Sequence, residues 1–239
     1  MDLGIRGKVA LVTAASKGLG LASALALAED GAKVVICARG IDALAAAEAE
    51  LAARTEVLAV AADVTEADAP RRLVETAVER FGRLDILVAN AGGPPTGRSL
   101  DVDDERILAA LNDNLLTSVR LVREAVPHMR SRGWGRICLI TSSSIKQPIP
   151  TLALSNTART GLWAWAKTAA ADLYGDGITL NLACPGSHAT DRMKDVQLEG
   201  PIGDPADFGR VVAFLCSDPA GFVSGTTLLV DGARSVGLT

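Results

Sequence analysis

Aromatic residues are scarce in this chain: tryptophan, tyrosine and phenylalanine together make up 3% of its 239 residues, and Tyr174 is the only tyrosine. A phenol for acid–base chemistry can therefore come from one position alone. Histidine is also rare, with two residues, and no histidine or cysteine spacing is typical of a zinc site. We expect no metal.

Clustered cysteines, excess positive charge and long apolar runs are also missing. The formal net charge is −4, which offers no basic patch to a nucleic acid or an anionic membrane. No apolar run approaches the roughly 18 residues of a membrane span, and the N-terminus has no signal-peptide pattern. The cysteines lie far apart in apolar runs, which indicates reduced core residues: Cys37, Cys138, Cys184 and Cys216. We expect a soluble cytoplasmic protein.

Short apolar runs alternate with longer helical patterns along the whole chain. Predicted strands cover 9–13, 34–38, 57–62, 86–89, 136–141, 178–183 and 227–230. Predicted helices cover 19–30, 41–54, 70–81, 103–132, 155–174 and 205–217. Strands that are apolar throughout favour a parallel sheet covered on both faces, and the alternation favours a doubly wound α/β (Rossmann) fold of about seven strands. No linker or repeat interrupts the pattern, so we predict a single domain over residues 1–239.

A glycine-containing turn separates the first predicted strand from the first helix. Glycines there let the backbone approach a pyrophosphate, and the helix N-terminus supplies amide donors. Ala14 precedes the glycines, and it would cost about 1 kcal/mol if its φ is positive. We predict that the turn binds a dinucleotide through Thr13, Ala15, Ser16, Lys17, Gly18, Leu19 and Gly20.

The end of the second strand indicates which dinucleotide binds. An acidic residue there would bind the ribose of NAD, whereas an arginine would accept the 2′-phosphate of NADP. Ala38 and Arg39 occupy this position without an acid, and Lys17 adds a second cation. We therefore predict NADP(H) in preference to NAD(H). The alternative is that both cations are ordinary solvated surface residues.

Further motifs follow in order, mostly at the carboxyl ends of predicted strands. They are Asp63-Val64, Asn90-Ala91-Gly92, Asn114, Ser142, Pro185-Gly186 and Thr190. Together with the glycine turn, this ordered set resembles the short-chain dehydrogenase/reductase family from about Gly4 to Gly232. It is most similar to bacterial 3-oxoacyl-carrier-protein reductase-like members.

The resemblance implies hydride transfer between a nicotinamide and a carbonyl or carbinol carbon. It implies that Ser142 polarises the carbonyl oxygen and that Asn114 helps to organise a water chain. It also implies a homotetramer or homodimer. The cofactor contacts that it implies are Asp63, Val64, Asn90, Ala91, Gly92, Pro185, Gly186, His188 and Thr190, with the last two near the carboxamide.

The chain departs from the family at its Tyr-x-x-x-Lys motif, where Ser155 and Arg159 stand. A serine hydroxyl is shorter and much less acidic than a phenol, whose pKa is about 10. Arginine can still donate hydrogen bonds to a ribose, but it stays protonated and is a poor proton relay. The i, i+4 spacing puts both residues on one helix face. We predict that the geometry of the site survives while its acid–base property does not.

Three functions are compatible with this departure. The first is an active NADP(H)-dependent reductase with a substitute proton donor, either Lys146, four residues after Ser142, or water in the space that tyrosine would fill. The second is a dinucleotide-binding sensor or an inactive partner subunit. The third is a non-redox relative similar to halohydrin dehalogenases, which also carry an arginine but keep the tyrosine and have remodelled the nucleotide turn. The retained Gly18 and Gly20 disfavour the third. The short segment 192–202 predicts an open substrate cleft.

Overall fold

A computed structural model describes residues 1–193 and 200–237 of the chain. Within these residues the strands are β1 (Val9–Val12), β2 (Lys33–Ala38), β3 (Val57–Ala61), β4 (Ile86–Ala89), β5 (Gly135–Ile140), β6 (Ile178–Pro185) and β7 (Thr227–Val230). They form one parallel sheet in the order β3-β2-β1-β4-β5-β6-β7. The predicted doubly wound fold is confirmed.

Helices cover both faces of this sheet. They are α1 (Gly18–Glu29), α2 (Ile41–Ala52), α3 (Ala69–Phe81), α4 (Asp104–Leu111), α5 (Thr117–Arg130), α6 (Ala153–Tyr174) and α7 (Pro205–Leu215). Alternate residues of each inner strand enter opposite core clusters: Leu11 packs on the side of α3, α5 and α6, and Val12 on the side of α1, α2 and α7. The inner strands are mostly apolar because both of their faces are buried.

The predicted helix 103–132 is not one regular helix. A π-helical turn, Asn112–Leu116, separates α4 from α5, and the Thr117 hydroxyl donates to the Asn112 carbonyl at 3.0 Å. Such turns insert one residue into an α-helix and occur often at functional sites. Hydrophobic periodicity could not detect it, because one inserted residue leaves the apolar pattern on either side intact.

The strand order reverses between β1 and β4, which places a crevice at their carboxyl ends. At the opposite edge, the buried carboxylate of Asp85 accepts hydrogen bonds from the Val9 amide at 2.8 Å and from the Arg83 guanidinium at 2.6 Å. The loops after β1, β4, β5 and β6 all meet at the crevice. Among the described residues, no helix is long and apolar enough to cross a membrane.

The close packing of α1 on α7 depends on Gly209, where a Cβ would overlap the backbone of Ala22. We expect Gly209→Ala to lower the free energy of unfolding by about 1–3 kcal/mol, because the two helices must separate. Gly175 is the matched control, since its backbone is right-handed helical and an added Cβ meets nothing within 4 Å. Gly175→Ala should raise the free energy by about 0.4–1 kcal/mol. Equal values for the two variants in urea unfolding would contradict the predicted packing.

Candidate active site

A cleft of about 650 Å³ lies at the carboxyl ends of β4, β5 and β6. Ser142 comes from the end of β5, and Ser155 and Arg159 come from successive turns of α6. The cofactor-site predictions that also line this cleft are Leu19, Asn90, Ala91, Pro185, Gly186, His188 and Thr190. The fold therefore brings three of the predicted catalytic residues together with part of the predicted nucleotide site.

The glycine turn after β1 is built for a close backbone approach. Ala14 has a φ of 47°, so the steric cost of a positive φ applies at this alanine, and Gly18 has a φ of 61°. A Cβ on Gly20 would lie 2.5 Å from the Ala14 carbonyl oxygen and 2.8 Å from the Asn90 Nδ2 atom. Only glycine fits that position.

This turn is tied to β4 and leads into an uncapped helix. Thr13 donates through Oγ1 to the Asn90 carbonyl at 2.7 Å and accepts from the Asn90 amide at 2.9 Å. The Asn90 side chain donates to the Ala14 carbonyl at 3.2 Å. Lys17, the N-cap residue of α1, makes no side-chain cap hydrogen bond within the described structure. The free amides at this helix N-terminus and the glycine cradle fit a pyrophosphate.

The tip of β2 carries a cation and the tip of β3 an anion. Arg39 is 77% exposed, and its Nη1 atom lies 3.6 Å from the Asp63 carboxylate. Asp63 accepts hydrogen bonds from the Thr65 amide at 3.0 Å and the Thr65 hydroxyl at 2.8 Å, and these lower its pKa. Lys17 is also exposed, whereas Ala38 and Val64 are buried. The exposed Arg39 leaves its guanidinium accessible to a phosphate.

Ser142 and Arg159 are both held by backbone groups. The Ser142 hydroxyl oxygen accepts a hydrogen bond from the Ser144 amide at 3.1 Å, which orients the hydroxyl while its proton stays available for donation. Arg159 is 6% exposed and donates through Nη1 to the Ile140 carbonyl at 2.9 Å and the Thr141 carbonyl at 3.3 Å. Ser155, 7% exposed, lies one helical turn before it on the same cleft.

Asn114 lies in the π turn and not on the lining of the cleft. It is 2% exposed, and neither its Nδ2 nor its Oδ1 atom has a hydrogen-bond partner in the described part of the chain. A buried amide without partners is costly, by about 1–3 kcal/mol for each unsatisfied group. The arrangement is suited to an amide that holds a bridging water.

The position of Lys146 gives no support to the prediction that it donates the proton. This lysine does not line the cleft, and its ammonium lies 3.9 Å from the centre of the Trp163 ring. The face of an aromatic ring attracts a cation, so this contact draws the end of the Lys146 side chain towards α6. The prediction relied on sequence proximity to Ser142, which does not determine the direction of a long side chain.

His188 lies in the loop after β6, and its ring is buried. The ring packs edge-on against Phe208 with centroids 5.3 Å apart, and Nδ1 is 3.2 Å from the Gly186 carbonyl oxygen. This packing fixes the loop to α7. The loop in turn presents Ser187 and Thr190 to the cleft.

The segment after β7 reaches the cleft, which no sequence motif had indicated. Arg234 and Ser235 line it, and Arg234 donates through Nη1 to the Ser187 hydroxyl at 2.7 Å. The Val236 amide donates to the Gln147 side chain at 3.0 Å. The short segment 192–202, from which we predict an open cleft, lies partly outside the described residues, at 194–199.

The cysteines near the sheet are not candidate nucleophiles. Burial raises the pKa of the Cys184 thiol to about 11, although a hydrogen bond with Thr141 opposes the shift. Burial also raises the pKa of Cys37 to about 11. Both thiols therefore stay protonated at neutral pH. Across residues 1–193 and 200–237 there is no group of three or more histidine, cysteine or acidic side chains that could hold a metal ion.

Comparisons with known proteins agree with this architecture. A family model described as short chain dehydrogenase matches residues 8–199. Human dehydrogenase/reductase SDR family member 4 is 33% identical, with 95% of this chain and 87% of that protein covered. A 3-oxoacyl-[acyl-carrier-protein] reductase from Synechocystis sp. is 37% identical, with 95% and 97% covered.

Solved structures extend the likeness to three dimensions. L-sorbose reductase from Gluconobacter frateurii, complexed with NADPH and L-sorbose, superposes with a TM-score of 0.94 at 32% identity, covering all of both chains. A 3-oxoacyl (acyl-carrier-protein) reductase from Agrobacterium tumefaciens with NADP bound gives a TM-score of 0.88 at 29% identity, covering 97% of this chain and 95% of the other.

The left-handed Ala14 yields a stability prediction for the nucleotide turn. Ala14→Gly should raise the free energy of unfolding by about 1 kcal/mol, because glycine adopts a positive φ without steric cost. Ala15 is the matched control in the same turn, since its φ is not positive. Ala15→Gly should lower the free energy by about 0.5–1 kcal/mol. If Ala14→Gly lowers stability in thermal or urea unfolding, the claim that Ala14 is conformationally strained is wrong.

Proposed function

Since the chain belongs to the short-chain dehydrogenase family, we propose that it is an NADP(H)-dependent reductase of a ketone or 3-oxoacyl-type carbonyl that works without the family's tyrosine. One observation carries the proposal. Ser142, Ser155 and Arg159 line a single cleft whose other wall includes Asn90, and Asn90 is bonded to an intact glycine turn. The dehydrogenases and reductases among its relatives support the reaction class.

The glycine turn and the N-terminus of α1 would hold the pyrophosphate, with Asn90, Pro185, Gly186 and Thr190 around the nicotinamide end. Arg39, which is mostly exposed, and Lys17 would bind the 2′-phosphate. The similarity to structures that contain NADPH or NADP supports this preference. A bound reduced nicotinamide supplies the hydride.

Ser142 and Arg159 would stabilise the negative charge that develops on the carbonyl oxygen. One lone pair of the Ser142 hydroxyl oxygen accepts from the Ser144 amide, and the hydroxyl proton can be donated to the substrate oxygen. Arg159 is fixed by two carbonyl groups at the end of β5, and it lines the cleft in which a ribose or an oxyanion would lie. Donors held in place before the reaction are effective because they need no reorganisation.

Water is the proton source that we propose. Ser155 is much smaller than tyrosine, so it leaves space beside the carbonyl, and its hydroxyl is too weak an acid to replace a phenol. Asn114 has an amide with two unpartnered atoms in the described structure, which supports a role in holding water on the path from solvent. Lys146 has no role in this scheme, because water supplies the proton and the lysine ammonium lies over the Trp163 ring.

A second candidate is a dinucleotide-binding sensor or an inactive partner subunit, which the replaced Tyr-x-x-x-Lys motif favours. The glycine turn argues against a dehalogenase-like relative, because Gly18 and Gly20 retain the nucleotide cradle.

We also propose a homodimer or homotetramer whose subunits pair through two long helical segments, α4 with α5 and α6. Leu108 and Leu116 support it, since these apolar side chains are 66% and 40% exposed.

We expect the protein to bind NADPH more tightly than NADH and to oxidise it with a member of a panel of ketones, diketones and 3-oxoacyl thioesters. Ser142→Ala should keep its NADPH affinity and lose about 10²–10³-fold in kcat, because one oxyanion donor is removed. Ser131→Ala, which changes a serine at the C-cap of α5, is the control and should behave as wild type. Nicotinamide fluorescence measures the binding and absorbance the turnover.

Each alternative outcome of this experiment has a defined meaning. NADPH binding without turnover on the whole panel would favour the sensor. Failure to bind either dinucleotide would overturn the cofactor assignment. Unchanged kcat in Ser142→Ala would remove Ser142 from the reaction.

A further inference from the structure

We propose that Arg234 recognises an anionic group, a carboxylate or a phosphate, on the carbonyl substrate. The inference rests on the proposed function, because it concerns the substrate end of the same cleft. It assigns a role to the segment after β7, which contributes Arg234 and Ser235 to the lining.

The first observation is the bonding of the Arg234 guanidinium. Its hydrogen-bond acceptor is the neutral Ser187 hydroxyl, at 2.7 Å from Nη1. Among residues 1–193 and 200–237, no carboxylate lies within ion-pair distance of Arg234. Most of the arginines there that form side-chain hydrogen bonds or ion pairs have an acidic partner, as Arg71 has Glu75. A guanidinium carries five donors in a planar fork, so most of its capacity remains for a ligand.

The second observation is that two hydrogen bonds within the turn hold the backbone on either side of Arg234. The Asp231 carboxylate accepts hydrogen bonds from the Ala233 amide at 3.1 Å and from the Ser235 amide at 2.9 Å. Ala233 has a φ of 63°, a left-handed conformation that costs about 1–2 kcal/mol for a residue other than glycine. The turn is therefore maintained against a local conformational preference, which is common where a side chain must be aimed at a ligand.

The third observation is that this turn lies directly against the loop after β6. A Cβ on Gly186 would lie 2.7 Å from the Asp231 Cβ atom, so the approach requires glycine. On the other side, the Val236 amide is bound by Gln147, which also lines the cleft. The turn that carries Arg234 thus lies between two walls of the cleft that contains Ser142.

The charge of the cleft differs from that of the chain. The chain has 28 acidic and 24 basic residues, yet the described lining residues include two arginines, Arg159 and Arg234, and no aspartate or glutamate. Converging positive charge in a concave site attracts and orients anions. Because arginine matches carboxylates and phosphates with paired hydrogen bonds, those are the groups that Arg234 fits.

Two matched pairs of compounds test the inference: acetoacetate with methyl acetoacetate, and dihydroxyacetone phosphate with dihydroxyacetone. Binding to the NADPH complex is measured by nicotinamide fluorescence, and kcat/KM by NADPH oxidation. We expect the anion of at least one pair to bind about ten- to a hundredfold more tightly than its neutral partner. The favoured pair distinguishes a carboxylate from a phosphate.

The variants are Arg234→Gln, Arg234→Lys and the control Arg71→Gln, which removes a surface arginine paired with Glu75. Arg234→Gln should abolish the preference for the anion and leave binding of the neutral compound and of NADPH unchanged. Arg234→Lys should keep a reduced preference, since a lysine retains the charge but loses the planar fork. Arg71→Gln should match wild type.

The inference and the proposed function can fail separately. Equal binding of both members of each pair to wild type, or no binding of any, would overturn the role of Arg234 even if a neutral ketone is reduced. Loss of NADPH affinity in Arg234→Gln would also overturn it, because Arg234 would then serve the cofactor. Arg234-dependent anion binding without NADPH oxidation would support the subsite and count against the reductase.

Discussion

The reciprocal hydrogen bonds between Thr13 and Asn90 are the interaction on which the site depends. They join the end of β1 to the end of β4 at the point where the strand order reverses. The Asn90 side chain then holds the Ala14 carbonyl, and Gly20 packs against the same two groups. One polar contact therefore positions the nucleotide turn, the start of α1 and one wall of the cleft.

The replaced motif changes the chemistry of the cleft more than its shape. Ser155 and Arg159 remain on one face of α6, because their i, i+4 spacing is unchanged, and both line the cleft. A buried permanent cation beside Ser142 suits stabilisation of a developing negative charge, whereas neither residue is suited to proton transfer near neutral pH. We propose water as the proton source because the cleft can stabilise negative charge but lacks a side chain suited to proton transfer. Within the described residues, the unpartnered amide of Asn114 indicates where water could be held.

Much of the fold could be predicted from sequence, since strands buried on both faces are mostly apolar. The sequence indicated what a positive φ would cost at Ala14, but the structure was needed to establish that its φ is positive. The directions in which long side chains extend could not be predicted from the sequence. Lys146 turns towards Trp163, which only the packing of α6 determines, and Arg234 reaches the cleft through a turn that has no motif.

The most direct test of a reaction without a side-chain acid is the pH dependence of hydride transfer. The rate of NADPH oxidation in a single turnover would be measured from pH 6 to 9 with a saturating carbonyl substrate whose own charge is constant in that range. We predict a rate that does not vary with pH, because serine hydroxyls and arginine guanidiniums keep their protonation states there. A rate that falls tenfold for each pH unit above a single pKa in this range would identify a titrating side chain as the proton donor and contradict the account.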